Sequence, residues 1–372
     1  MVVSCKHGGG AFDYLGHQFE RISRADEVVA ADVLDAWYPP APRVIKQLEE
    51  NLRWGIKTSP PALAKGLIQK IAEVRRIKPN QINVGGGSSH IIYTALSPIL
   101  RECSKVVVVQ PCYGEYAHYL THVFPRQVIS YNTEPNHFRV AVDQLAKFVK
   151  KHEAKAVIIV NPCNPTGHGI KRSDLQHLLD QLSSNVRLII DETYIDYLDS
   201  GDSLESYVAK YPNLMIIKSM SKIYALSGLR IGYLICEEAS AMELTKYFPP
   251  YSVGTLAQMA AITALDEADY YQRMVAETQK RIAYLTQYLN LIPGIAVLPS
   301  VGPGLLLDLK DFIVKAPAVE ALAKEQAILV RDISDQGPQT PHRYLRIAAA
   351  DYPDLDRIID FFGKLSMSIK SA

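Results

Sequence analysis

Val157-Ile158-Ile159-Val160-Asn161-Pro162-Cys163-Asn164-Pro165-Thr166-Gly167 joins four β-branched residues to a polar turn rich in proline and asparagine. A short unbroken aliphatic run bounded by turn residues predicts a strand buried on both faces. The same design recurs on either side. Val106-Val107-Val108-Val109 runs into Gln110-Pro111-Cys112-Tyr113, residues 188–190 run into Asp191-Glu192-Thr193-Tyr194, and residues 215–217 lead to Ser219-Met220-Ser221-Lys222. Residues 128–130 form a further short run, and helical periodicity fills the spaces between at 116–124, 142–149 and 175–182. Short β-branched runs alternating with helices predict an α/β fold, a mostly parallel sheet covered on both faces. In such sheets the ligand lies beyond the carboxyl ends of the strands, where all these polar turns fall.

The whole chain agrees with an ordinary globular protein. It has 372 residues, 48% hydrophobic and 21% charged, which is enough for two domains. A formal net charge of +1 leaves no excess to drive binding to nucleic acid or to a membrane surface. The apolar runs are too short to span a bilayer and residues 1–6 lack a secretory pattern, so a cytoplasmic location is expected. Five cysteines without metal-ligand spacing predict reduced, structural thiols and no metal site.

Residues 1–36 read as an irregular arm containing His7-Gly8-Gly9-Gly10, where three glycines either bring backbone close to a ligand or mark a flexible end. Trp37-Tyr38-Pro39-Pro40-Ala41-Pro42 is a stiff connector, followed by helical patterns at 44–52 and 63–77. A strand at 82–84 then enters Gly85-Gly86-Gly87-Ser88-Ser89-His90 and a helix at 91–100. Strand, glycine turn and helix start form an anion cradle, because unpaired N–H groups and the helix dipole converge there. Residues 37–265 read as a large domain. After a long helix at 267–289, read as the hinge, strands at 295–298, 305–307, 328–330 and 344–347 with flanking helices predict a small α+β domain over 266–372, joined by the arm.

The chemistry centres on Lys222. Ser219, Ser221 and Arg230 offer hydroxyls and a planar fork of N–H groups, which suit a phosphate dianion. A lysine beside fixed positive charge and partly desolvated has its amine form favoured, as an imine-forming lysine requires. For the Ser-Lys pair alone, a solvated lysine on a serine-rich loop is the commoner case, and the argument for chemistry must come from the rest of the chain.

Taken in order and spacing, residues 161–167, 191–194 and 219–222 with Gly228-Leu229-Arg230-Ile231-Gly232 resemble the fold-type-I, pyridoxal-5′-phosphate (PLP) dependent aminotransferase superfamily of class I/II. The resemblance covers residue 37 to the end and is nearest to histidinol-phosphate aminotransferases and threonine-phosphate decarboxylases; His7-Gly8-Gly9 is similar to the start of the decarboxylases. It implies a seven-stranded sheet between helices plus the small α+β domain, a homodimer, PLP as cofactor and an L-amino acid as substrate. By the same resemblance Lys222 forms the imine with PLP and later moves protons, and Asp191 pairs with the ring nitrogen. Asn164 and Tyr194 would bond the ring oxygen, Tyr113 would stack on the ring, and Gly87, Ser88, Ser89, Ser219, Ser221 and Arg230 would hold the phosphate. Arg346 would grip the substrate carboxylate, with Arg331 as a second substrate arginine and His7 and Gly8 on the substrate side. Read singly, Tyr194 could be plain core, Arg331 a surface ion pair and Asp191 a helix cap.

The departures from the resembled pattern fall on the substrate. Thr58-Ser59-Pro60-Pro61 replaces a Tyr-Pro-Asp, His90 stands where an acid is usual, Asp35 and Trp37 stand where asparagines are, and Gly302-Pro303-Gly304 and Ala348-Ala349-Ala350 are also unlike it. Asp35 and Glu115 could meet a cationic tail such as a guanidinium, or be solvated carboxylates or a cap. The favoured expectation is dehydration and ring closure of γ-hydroxy-L-arginine to L-enduracididine, by similarity to the cyclases of guanitoxin biosynthesis. The alternative is an ordinary aminotransferase. A regulatory PLP-binding module without catalysis is the third reading, and the lack of a basic patch or an added DNA-binding segment speaks against it.

Overall fold

The computed structural model describes residues 8–134, 137–198, 202–337 and 342–368; His7 lies outside them. The strands are β1 (Val29–Ala30), β2 (Ile82–Gly85), β3 (Lys105–Gln110), β4 (Gln127–Asn132), β5 (Ala156–Val160), β6 (Arg187–Asp191) and β7 (Leu214–Ser219). They continue with β8 (Gly232–Cys236), β9 (Ala296–Leu298), β10 (Gly304–Asp308), β11 (Ile328–Leu329), β12 (Arg331–Asp332) and β13 (Tyr344–Ala348). Seven of them form one sheet in the order β2-β8-β7-β6-β5-β3-β4. All run parallel except β8, which is antiparallel to both β2 and β7.

Every residue of β5, β7 and β8 is buried, which is why these strands are unbroken apolar runs with no polar alternation. Successive side chains point to opposite faces and feed two separate cores. Val106 and Val108 join Ile91, Ile92 and Leu96 of the helix Ser88–Ile99, whereas Val107 and Val109 join Leu145 of the helix Val142–Lys151 and Leu175 of the helix Arg172–Gln181.

A four-stranded antiparallel sheet, β12-β13-β10-β9, lies in the C-terminal part. The chain's beginning is tied there: β1 pairs in parallel with β11, Val29 opposite Ile328 and Ala30 opposite Leu329. The arm is also more regular than its composition predicts, with short helical turns at Phe12–Leu15 and Ile22–Glu27. Among the described residues no helix is long and apolar enough to cross a membrane.

Three element boundaries differ from the sequence reading, each for a tertiary reason. The helix expected from residue 63 begins at Lys65, because the Leu63 N–H donates to the Pro250 carbonyl at 2.6 Å and the chain passes Leu63 and Ala64 in the left-handed region, φ 57° and 51°. The helix expected at 116–124 starts at Gly114 and widens after His118 into a turn of π geometry, Tyr119–Val123. The single strand expected at 328–330 is two, since β11 takes its partner from the arm and β12 from β13.

Candidate active site

A cavity opens at the carboxyl ends of β5, β6 and β7. One end is a cradle for an anion. β2 ends in Gly85, and Gly86 and Gly87 turn the chain into the helix Ser88–Ile99. Gly87 has φ 93°, and a Cβ there would come within 2.7 Å of Arg230 Nη2; a Cβ on Gly232 would come within 2.6 Å of the Ser88 nitrogen. Helix start, strand β8 and guanidinium are thus pressed together at contacts that only glycine permits. Arg230 is anchored by donating to the Ser227 carbonyl at 2.9 Å and lies 3.4 Å from the Ser221 hydroxyl. Ser88, Ser89, Ser219, Ser221 and Arg230 all line the cavity, a donor set that fits a phosphate dianion.

The middle of the cavity carries Lys222, Asp191, Tyr113, Tyr194 and Asn164. Asp191 is the last residue of β6 and is buried; its carboxylate accepts from the Thr193 N–H at 2.9 Å and the Tyr116 hydroxyl at 2.8 Å. Burial pushes its pKa above the ordinary carboxylate range despite those two bonds. A cationic ring nitrogen beside it would supply the missing counter-charge. Burial likewise raises the Tyr194 phenol, against the pull of the Arg346 guanidinium. Lys222 reaches across to the arm side: its Nζ stands 2.7 Å from Asp35 Oδ1.

The far wall comes from the small sheet. Arg346 on β13 and Arg331 on β12 are register partners and both are buried. Arg346 donates from Nη1 to Asn164 Oδ1 and from Nη2 to the Asp32 carbonyl, each at 2.6 Å, while its buried Nε has no partner among the described residues. Arg331 donates from Nη2 to both carboxylate oxygens of Asp335, at 2.9 and 2.8 Å. Gly8 closes the side, fixed because the N–H groups of Gly9 and Gly10 donate to Asp32 Oδ2 at 2.7 and 3.0 Å.

Glu115 is a correction. The helix starting at Gly114 turns it toward the neighbouring helix, where its buried carboxylate accepts from the Tyr93 hydroxyl at 2.9 Å, and it does not line the cavity. Trp37 is also away from the cavity. Its indole donates to Thr278 at 2.9 Å and stacks under Arg281, pinning the connector to the long helix Ala268–Leu289. Three contributors escaped the sequence reading: Tyr116, Ser227 and Asp32. Tyr116 lies one helical turn after Tyr113, a spacing that could have flagged it; Ser227 and Asp32 carry no local signal.

Fold and site together place a lysine, a buried carboxylate and an anion cradle in one cavity of an α/β protein. The chain belongs to the aminotransferase class I and II family, whose pattern matches residues 33–362. It is 29% identical over 337 residues to histidinol-phosphate aminotransferase 2 of Archaeoglobus fulgidus, covering 90% of this chain and 92% of that one. It is also 29% identical over 299 residues to the histidinol-phosphate aminotransferase of Thermoanaerobacter sp. (strain X514), covering 78% and 80%. The crystal structure of histidinol-phosphate aminotransferase from Sinorhizobium meliloti in complex with pyridoxal-5′-phosphate superposes with a TM-score of 0.84 at 19% identity, over 99% of this chain and 100% of that one. That of L-threonine-O-3-phosphate decarboxylase from Porphyromonas gingivalis gives 0.79 at 22% identity, over 91% and 99%. PLP is the cofactor of this enzyme.

Proposed function

We propose that the enzyme transfers an amino group between an L-amino acid and a 2-oxo acid, with Lys222 carrying the cofactor and Arg346 taking the substrate carboxylate. One observation carries this reading: Lys222, Asp191 and the serine–Arg230 cradle line a single cavity, and Arg346 lines it too with a buried N–H left over. The relatives named as histidinol-phosphate aminotransferases support transfer over ring closure.

When bound, PLP supplies an aldehyde that condenses with amines and a ring that accepts an electron pair from the substrate carbon. In this proposal Ser88, Ser89, Ser219, Ser221 and Arg230 bind the phosphate, and Gly87 lets the backbone approach it. Asp191, held by Thr193 and Tyr116, keeps a proton on the ring nitrogen. Asn164 and Tyr194 bond the ring oxygen and Tyr113 packs on the ring face. The Lys222 amine would take the proton from the substrate α-carbon and hold it within the site for return to carbon. Arg331 faces a second acceptor on the substrate or the oxo acid. The working unit is a cytoplasmic homodimer in which 37–265 form the cofactor domain, 266–372 the small domain, and the arm borders the substrate at Gly8.

A second reading, ring closure of γ-hydroxy-L-arginine, is favoured by the Asp35 carboxylate beside Lys222, although Glu115 has turned away from the cavity. One experiment separates the two. L-amino acids, including arginine and γ-hydroxyarginine, are added to the yellow holoenzyme without any oxo acid, and products are followed by absorbance and mass. One oxo acid per site with loss of the aldehyde form supports transfer. Repeated loss of water from hydroxyarginine with the aldehyde regained refutes transfer in favour of ring closure.

A further inference from the structure

Asp35 comes from the segment between β1 and the connector, 187 residues before Lys222, yet its Oδ1 stands 2.7 Å from the lysine nitrogen. The same oxygen is 2.7 Å from the Ser227 hydroxyl, which is also 3.0 Å from the Ser221 carbonyl, so the carboxylate is fixed to the lysine's own loop. We propose that Asp35 is the positioning residue for the proton on Lys222: it holds the charged side chain beside the reacting carbon and orients it for the return of that proton. The inference rests on Lys222 being the cofactor lysine.

The proton balance closes within the site. The amine accepts a proton from the substrate C–H and becomes an ammonium, the ammonium stays paired to Asp35, and the same proton leaves Nζ for carbon, so Asp35 itself neither gains nor loses one. Without that carboxylate, an ammonium whose side chain is 20% exposed would lose its hydrogen-bonded counter-charge and exchange its proton with water. The charged and titratable groups that act on Asp35 or feel it are Lys222, Arg230, Tyr194 and Tyr197. Burial raises the Asp35 pKa, but Lys222, its hydrogen bond, Ser227 and Arg230 together bring it below the ordinary value, so the carboxylate is ionised at neutral pH. An asparagine, as the resembled family has here, could orient the lysine but not neutralise it.

The test is the pH titration of the visible absorbance band of the holoenzyme, in which the lysine-bound cofactor changes colour as it loses a proton. In Asp35→Asn the midpoint is expected to fall by about one pH unit, because the protonated form loses a counter-charge. Asp35→Glu should restore most of the shift, and Ser227→Ala should give a smaller fall in the same direction. A folded Asp35→Asn whose midpoint stays or rises overturns the proposal. So does a raised KM for cationic amino acids with the midpoint unmoved, which would make Asp35 a substrate reader. If Asp35→Asn does not fold, Ser227→Ala decides, and an unmoved midpoint there counts against it. The lysine assignment is read separately: Lys222→Ala should fix no cofactor on borohydride reduction, and retention of the label would overturn both statements.

Discussion

Asp196 shows how the cofactor strand is held from behind. Its carboxylate receives a bidentate grip from Arg75 at 2.7 and 2.8 Å. Burial alone would raise its pKa, but the Arg75 guanidinium, with Lys218 and the two hydrogen bonds, holds it down to about 2 against an ordinary 3.8. Because the folded value is depressed, the pair's contribution is complete above the unfolded value and lost as pH falls through the folded one. Asp196→Asn is therefore expected to cost about 2 kcal/mol at neutral pH, in urea unfolding of the holoenzyme, and the gap to wild type should shrink toward zero as pH falls from about 4 to about 2. A gap independent of pH would mean the pair's charge contributes nothing. The strand-end residues of this cavity were readable because the chain puts each just past an aliphatic run, as with Lys222, Asp191 and Asn164; Arg346 lies inside β13, and only the resemblance pointed to it. Glu115 was misplaced by the same logic, since a position two residues after Tyr113 says nothing of which way a helix starting at Gly114 will face.

The helix Ser88–Ile99 and strand β8 meet at glycine, and that junction carries the phosphate cradle. Gly232→Ala places a methyl group 2.6 Å from the Ser88 nitrogen, a backbone atom that cannot rotate aside. The expected result is a loss of about 1–3 kcal/mol in stability together with weaker cofactor retention on dialysis, from overpacking and a displaced helix start. Unchanged retention would show that the helix start is not part of the cradle. Elements buried on two faces announce themselves through composition, as β5 and β7 do. Boundaries set by distant partners do not: the left-handed passage at Leu63 answers to the Pro250 carbonyl, and the break between β11 and β12 answers to β1.

The outer surface bears on assembly. On the helix Pro42–Lys57, Ile45, Leu52 and Ile56 share one side and are 37%, 47% and 71% exposed, a quarter turn from the buried Val44 and Gly55, while Trp54, 50% exposed, lies on the opposite flank. An apolar stripe of this kind on an amphipathic helix is expected to be covered by a second chain. Sedimentation equilibrium should return twice the chain mass for wild type, and Ile56→Glu should move it toward the single chain; a wild-type monomer at micromolar concentration would refute the dimer. The cradle end of the cavity is built from residues 85–232, but its far wall has Arg346 donating to the Asp32 carbonyl, 314 positions apart. The cradle is therefore made by residues comparatively close in sequence, whereas the far wall closes only when β13 meets the arm, a contact that carries a larger loop-closure cost. Loosening that one contact should thus part the far wall while leaving the cradle standing.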